Sequence, residues 1–319
     1  MRLEPLPRQC EPQLDESGMG FCLRAVSLNG CNLHWLRSAA GVPYGRSITG
    51  HCAAPIAAIL GCTPQWLRAN LPTTEREHGG TTTCFMGQHF TAVNRLRGSR
   101  PQVCARCVHR DGFCRSAWEL SLVTACALHQ CALVDRCMGC GEALRWDRRE
   151  VAICHCGRPI SSAATPGSSE QPSIEWSRLL QQKLAGEPIE RESWTALGLP
   201  NILQELTADG LLAVLHAFGA CAAPFSRTAP SVSTRSMSTC EWTQIGARAC
   251  SRLQLKRGRP WDDWRDLAPV VSHSLLGRLA QKAIAAADAA VARQLLRAVF
   301  GVAEASRCVR DERQMELFD

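Results

Sequence analysis

The 319-residue chain has almost no lysine: only Lys183, Lys256 and Lys282 are present, so 33 of its 36 basic residues are arginine. None of the three follows a glycine, which excludes the Gly-x-x-x-x-Gly-Lys-Ser/Thr loop and with it a P-loop ATPase. The His-Glu-x-x-His motif of metalloproteases is absent, and so is the His-x-Glu with Pro-Cys-x-x-Cys pattern of zinc deaminases. A two-metal transposase needs three carboxylates on a mixed α/β core. Asp262, Asp263 and Asp266 instead share one short Trp-rich run, which reads as a solvated helix start with Trp261 and Trp264 facing inward. No catalytic residue is expected, and hence no enzyme.

Long apolar stretches are missing too. The longest, Gly210 to Phe225, contains His216 and Pro224. It falls short of the roughly 20 residues that span a bilayer, so it reads as a core helix. The opening Met1-Arg-Leu-Glu-Pro-Leu-Pro has no apolar core after its charge, and no leader is expected. There is no internal repeat and no heptad run.

What is present is a globular composition, 45% hydrophobic and 20% charged, with room for two or three domains. The net charge of +7 suggests an anionic partner. The arginine bias has two readings that composition leaves open, bidentate phosphate and base contacts or the codon preference of a GC-rich genome.

The 19 cysteines carry the strongest signal. Cys104-x-x-Cys107, Cys126-x-x-His129, Cys137-x-x-Cys140 and Cys154-x-Cys156 form four ligand pairs between residues 104 and 156. Zinc takes four Cys or His donors in a tetrahedron, and a two-residue gap lets one tight turn aim both donors at one ion. Four pairs make two closed zinc sites per chain. Metal-type spacing also favours thiols over disulfides and therefore a reducing bacterial cytoplasm. Sequential pairing joins Cys104, Cys107, Cys126 and His129, then Cys137, Cys140, Cys154 and Cys156; it closes shorter loops than cross-braced pairing and costs less chain entropy. His155 is an alternative to either cysteine beside it. Gly141 is expected to free backbone amides for the sulfurs. Cys114 and Cys131 break the pairing and read as core or surface thiols.

The expected fold is mainly α with small zinc-binding modules. Residues 1–100 read as an N-terminal helical domain, 101–160 as the double zinc module, 161–173 as a linker and 174–319 as a C-terminal helical domain. Asp15-Glu-Ser17 opens a helix that Asn29-Gly30 ends, and Asn32 caps a second one. A helix from about Cys52 to Leu60 is followed by Gly61-Cys-Thr63-Pro64, in which Thr63 suits an N-cap and Pro64 the first helical position. Gln65 to Leu71 continues as a short helix. This is the outline of a helix-turn-helix, and also of an ordinary helical hairpin. Residues 73 to 100 read as irregular, with a short strand between Phe85 and Val93. Residues 222–239 read as a loop, and Leu275 to Phe300 as one long or broken helix.

The cysteine stretch and its surroundings resemble the TniQ family. The resemblance runs through Cys104-x-x-Cys107, Asp111-Gly-Phe113, Arg115, Trp118-Glu-Leu120, Val123, Cys126-x-x-His129, Leu133, Asp135-Arg-Cys137-x-x-Cys140-Gly141 and Cys154-x-Cys156-Gly157, with Asp15-Glu-Ser17, Leu23 and Asn29-Gly30 before it. It covers about residues 12 to 160. It implies a target-selection adaptor of transposition with an N-terminal helix-turn-helix, zinc-binding segments and a helical C-terminal part. In CRISPR-associated transposons such proteins bind the RNA-guided effector complex, often as homodimers, and help recruit a AAA+ ATPase regulator, which recruits the transposase. The TnsD-type members bind attachment-site DNA directly and are usually longer. The chain departs from the family in its extra cysteines and in having no long C-terminal DNA-binding extension, which argues against stand-alone targeting. The basic residues are candidates for nucleic-acid contacts at Arg95, Arg97 and Arg100, and at Lys256, Arg257 and Arg259, the densest cluster elsewhere; the other reading of each arginine is ordinary solvated surface.

Overall fold

The computed structural model describes residues 4–77, 80–161, 171–189, 191–222 and 237–301. They divide into two compact units, Met1–Glu170 and Gln171–Asp319. The stretches expected as an N-terminal helical part and as a cysteine module both lie in the first unit. Most of the expected linker, residues 162–170, and most of the expected loop, residues 223–236, lie outside the described residues.

The first unit begins with helix α1 (Gly18–Leu28). Ser17 caps it, its hydroxyl accepting from the Gly20 amide at 3.1 Å, an arrangement typically worth about 1 kcal/mol. Phe21, Cys22, Leu23 and Val26 are completely buried, the apolar stripe of a half-buried helix. Helix α2 (Leu33–Ala39) is capped by Asn32, whose side chain accepts from the Trp35 amide. Helices α3 (Ala53–Leu60) and α4 (Pro64–Asn70) are joined by a turn in which Gly61 adopts the left-handed conformation. Thr63 occupies the N-cap position of α4 without a side-chain bond. The ring of Phe21 on α1 meets Trp66 on α4 edge-on, centroids 5.2 Å apart.

Residues 73 to 90 are not irregular. They form an antiparallel meander of β1 (Thr73–Glu77), β2 (Gly80–Phe85) and β3 (Gln88–Phe90). Threonine-rich stretches suit a pleated, half-exposed surface. Met86 and Gly87 separate the paired residues Phe85 and Gln88, and both have positive φ, 54° and 71°. That is the tight hairpin turn whose twist matches the strands. Phe85 and Phe90 are fully buried beneath the sheet.

The first unit also holds α5 (Ala105–Arg110), and the second unit is helical among its described residues: α6 (Gln171–Ala185), α7 (Arg191–Leu197), α8 (Ala208–Gly219), α9 (Thr239–Gln254), α10 (His273–Lys282) and α11 (Ala286–Phe300). The long apolar run supplies α8, every residue of which is buried. Trp176, Leu179 and Leu180 of α6 point inward, as their spacing predicts. Thr207 caps α8 and is itself held by Asp288, which accepts from its amide and its hydroxyl. The expected helix to Phe300 is broken at residues 283–285. No helix among the described residues is long and apolar enough to cross a membrane.

Candidate metal centres

The first cluster is built from a helix start and a hairpin. Cys104 is the N-cap of α5 (Ala105–Arg110), and Cys107 sits on its first turn. Cys126 ends strand β4 (Ala125–Cys126), which pairs with β5 (Cys131–Ala132). His129 lies in the hairpin loop, where Gln130 takes a positive φ of 47°. The four donor atoms of Cys104, Cys107, Cys126 and His129 all lie within 4.8 Å of one another. Nδ1 of His129 is 3.5 Å from the sulfur of Cys104, 3.1 Å from that of Cys107 and 3.7 Å from that of Cys126. The sulfurs of Cys107 and Cys126 are 3.6 Å apart.

The second cluster is built from two turns of the same construction. The amide of Cys137 donates to the Glu142 carbonyl and that of Cys154 to the Arg158 carbonyl. Gly141 and Gly157, both with positive φ, donate back to the carbonyls of Cys137 and Cys154. Each turn thereby aims two thiols at one point. The sulfurs of Cys137 and Cys156 are 3.7 Å apart, and those of Cys140 and Cys154 are 4.0 Å apart. The left-handed Gly141 closes its turn on the Cys137 carbonyl and leaves turn amides free for the sulfur, as expected: that of Gly139 donates to the Cys137 sulfur at 3.3 Å.

These spacings fit a tetrahedral ion. Bonds of about 2.3 Å to sulfur and about 2.0–2.1 Å to nitrogen require edges of about 3.8 Å between sulfurs and about 3.6 Å between sulfur and nitrogen. The two clusters are thus sets of four that could each hold a metal ion. The grouping is sequential, and His155 stands outside the second set, its Nδ1 3.4 Å from the Cys154 sulfur. Electrostatics point the same way. Contact with Cys104, and then burial, push the Cys126 thiol far up, a strain that a cation among the sulfurs relieves. Burial works against the Cys137 thiolate, but the amides of Cys140 and Gly139 bring the group down to about 7. Burial, with Arg110 and Arg106 nearby, lowers the pKa of His129 and favours the neutral imidazole a metal takes. The Arg110 guanidinium lies 3.2 Å from Nε2 of His129. With a metal on Nδ1, Nε2 would carry the ring proton and could not accept from Arg110, which is also ion-paired with Asp111.

Residues 7–133 match the family model described as TniQ. Through this segment, about two fifths of its length, the chain is similar to the TniQ family. No curated protein matches it. The TniQ segment holds the sheet, α1 to α5 and all four members of the first cluster; the second cluster lies beyond it. A TniQ segment implies involvement in transposition target selection.

Several residues of the TniQ segment support the first cluster. Arg115 bridges Asp15, just before α1, at 2.5 Å and Asp111, just after α5, at 3.1 Å, and its charge also favours the Cys107 thiolate. The buried amide of Gln102 donates to the carbonyls of Trp118, Leu120 and Val123, fixing the chain between Cys107 and Cys126. Nothing in its local sequence singled Gln102 out, because its partners lie 16 to 21 residues away. Cys114 is a core thiol 1% exposed, against which Gly20 of α1 is packed so closely that a Cβ there would sit 2.8 Å from the Cys114 Cβ. Cys131 stands outside the set of four, its sulfur 3.7 Å from that of Cys104.

The basic residues divide. Arg95 and Arg97 are buried, 4% and 7% exposed, and Arg97 is paired with Asp135 at 2.9 Å. Neither guanidinium is displayed to a phosphate backbone, which corrects the expected contacts at both. Arg100 is half-buried. In the second unit Lys256 is buried and engaged, with Asp266 at 2.6 Å and with the Asp263 carbonyl, so it is structural. Arg257 and Arg259 are exposed.

Proposed function

We propose that the protein is a non-enzymatic adaptor of transposition. It links a targeting complex, such as an RNA-guided CRISPR effector, to a AAA+ regulator and through it to the transposase. The observation that supports this reading is the TniQ segment wrapped around a cluster whose four corners are all protein donors. A site with no open coordination position does no hydrolytic chemistry. Its role is to hold the TniQ segment in one shape.

The ion is zinc in both centres. Thiolate-rich tetrahedral sets select it over magnesium, calcium or manganese. Cys104, Cys107, Cys126 and His129 hold the first ion, and Cys137, Cys140, Cys154 and Cys156 the second. When bound, each ion supplies a cross-link between segments up to 25 residues apart in the first site and 19 in the second.

The test is co-purification of the full chain with a AAA+ transposition ATPase, with and without an RNA-guided effector complex. The adaptor reading expects a complex with the ATPase and silent band shifts on DNA alone. Tight sequence-specific binding to duplex DNA by the isolated protein would replace it with a stand-alone target selector, in which exposed Gln65 and Arg68 of α4 are the residues to read bases. Light scattering on the same sample tests the homodimer.

A further inference from the structure

The second unit has a cleft of about 330 Å³ lined by Asn201, Arg257, Arg259, Trp261 and Trp264, among others. It lies outside the matched TniQ segment, and nothing in the proposed adaptor role accounts for it. Arg257 and Arg259 flank Gly258, whose φ of +69° turns the chain between them. Among the described residues, neither guanidinium has a hydrogen-bond or ion-pair partner, whereas the adjacent Lys256 is occupied by Asp266. Two unpaired, rigid forks beside one cleft match the oxygens of a phosphate group.

The aromatic wall is of a different kind. Trp261 is half-buried and lies against Trp264, with ring centroids 4.8 Å apart and a tilt of 36°. Trp264 is 1% exposed and its other face meets Phe218 edge-on. Trp264 therefore backs Trp261 and holds it as a fixed platform. The indole N–H of Trp264 is buried without an acceptor. A buried donor without a partner is costly.

The local charge narrows the ligand. Between residues 256 and 266, Lys256, Arg257, Arg259 and Arg265 face Asp262, Asp263 and Asp266. That leaves an excess of one positive charge, too little to follow the dense phosphates of a duplex. A small planar group with one phosphate suits the cleft better, because stacking adds affinity without a long-range field. We propose that the cleft binds a nucleotide unit, its base on Trp261 and its phosphate on Arg257 and Arg259. The unit comes either from a single strand or from a free nucleotide. This does not depend on the adaptor reading.

The experiment uses the full chain and two probes, a fluorescein-labelled oligo-thymidylate followed by anisotropy and thymidine monophosphate as its competitor. Saturable binding is expected. Both W261A and the double variant R257A/R259A weaken it about tenfold or more, and W261F largely restores it. Competition by the monophosphate identifies a free-nucleotide site, and binding of the strand without that competition identifies a strand site. Because Trp261 packs on Trp264, circular dichroism and melting of each variant check its fold; the exposed arginine pair keeps the test valid should W261A unfold. Three outcomes overturn the proposal: no saturable binding to either probe, binding unchanged in a folded W261A, or equal binding of a duplex.

Discussion

The hydroxyl of Ser17 donates to Oε1 of Glu119, 102 residues further along the chain, while its oxygen caps α1 by accepting from the Gly20 amide. One side chain thus joins the start of the first helix to the segment between the two halves of the first metal cluster. Glu119 is 4% exposed and its Oε2 has no partner. Burial raises its carboxyl from 4.5 to about 7, against the Ser17 bond, which lowers it.

The sign of the pH effect follows. The folded value lies above the unfolded one, so the folded state keeps the proton between them. Its contribution to stability is full below about 4.5 and is lost as pH rises through about 7, for a total on the order of 3 kcal/mol. Thermal melting between about pH 5 and 8 should show the native protein losing stability relative to E119Q. Parallel curves for the two would contradict this. S17A removes the cap and leaves the carboxyl without its donor, and should cost about 1–3 kcal/mol at neutral pH.

Arg97 and Asp135 form the second long-range tie, at 2.9 Å with side chains 3% and 13% exposed. Arg97 also donates to the Arg100 carbonyl at 3.0 Å. Removing one partner of a buried pair leaves an uncompensated charge, so R97A should destabilise by about 3–5 kcal/mol in urea unfolding. R97A/D135A should recover part of that loss. A loss in the double variant equal to the sum of the R97A and D135A losses would show that the pair is not coupled.

The ligands were legible in the sequence because metal spacing is local. Cys104 and Cys107 are placed by one helix start, and Cys137 and Cys140 by one turn. Helix caps were legible for the same reason, as Ser17 and Asn32 illustrate. Of the meander from Thr73 to Phe90 the short strand β3 was legible, within the expected Phe85 to Val93; β1 and β2 were missed because their threonines show no apolar alternation. Arg95 and Arg97 read as surface charge, since burial depends on partners such as Asp135 that lie far along the chain. The cleft beside Trp264 was legible only as a basic run, because its aromatic wall is assembled in three dimensions.

The two centres differ in exposure, and that predicts the order in which they lose metal. Cys104, Cys107 and Cys126 are buried, whereas Cys140 and Cys156 are exposed. A thiol-reactive mercurial with a colorimetric zinc dye should release metal in two phases, the fast one from the second centre. C140S should abolish the fast phase alone. A single phase, or a slow phase lost in C140S, would reverse the assignment.

The most direct test is the zinc content of the full chain by elemental analysis, native and in three variants. The account predicts two zinc ions in the native chain, one in C107S, one in C140S and two in C131S, whose thiol stands beside Cys104 but outside the set of four. Fewer than two in the native protein would contradict it. So would loss of both ions in C107S, or loss of one in C131S.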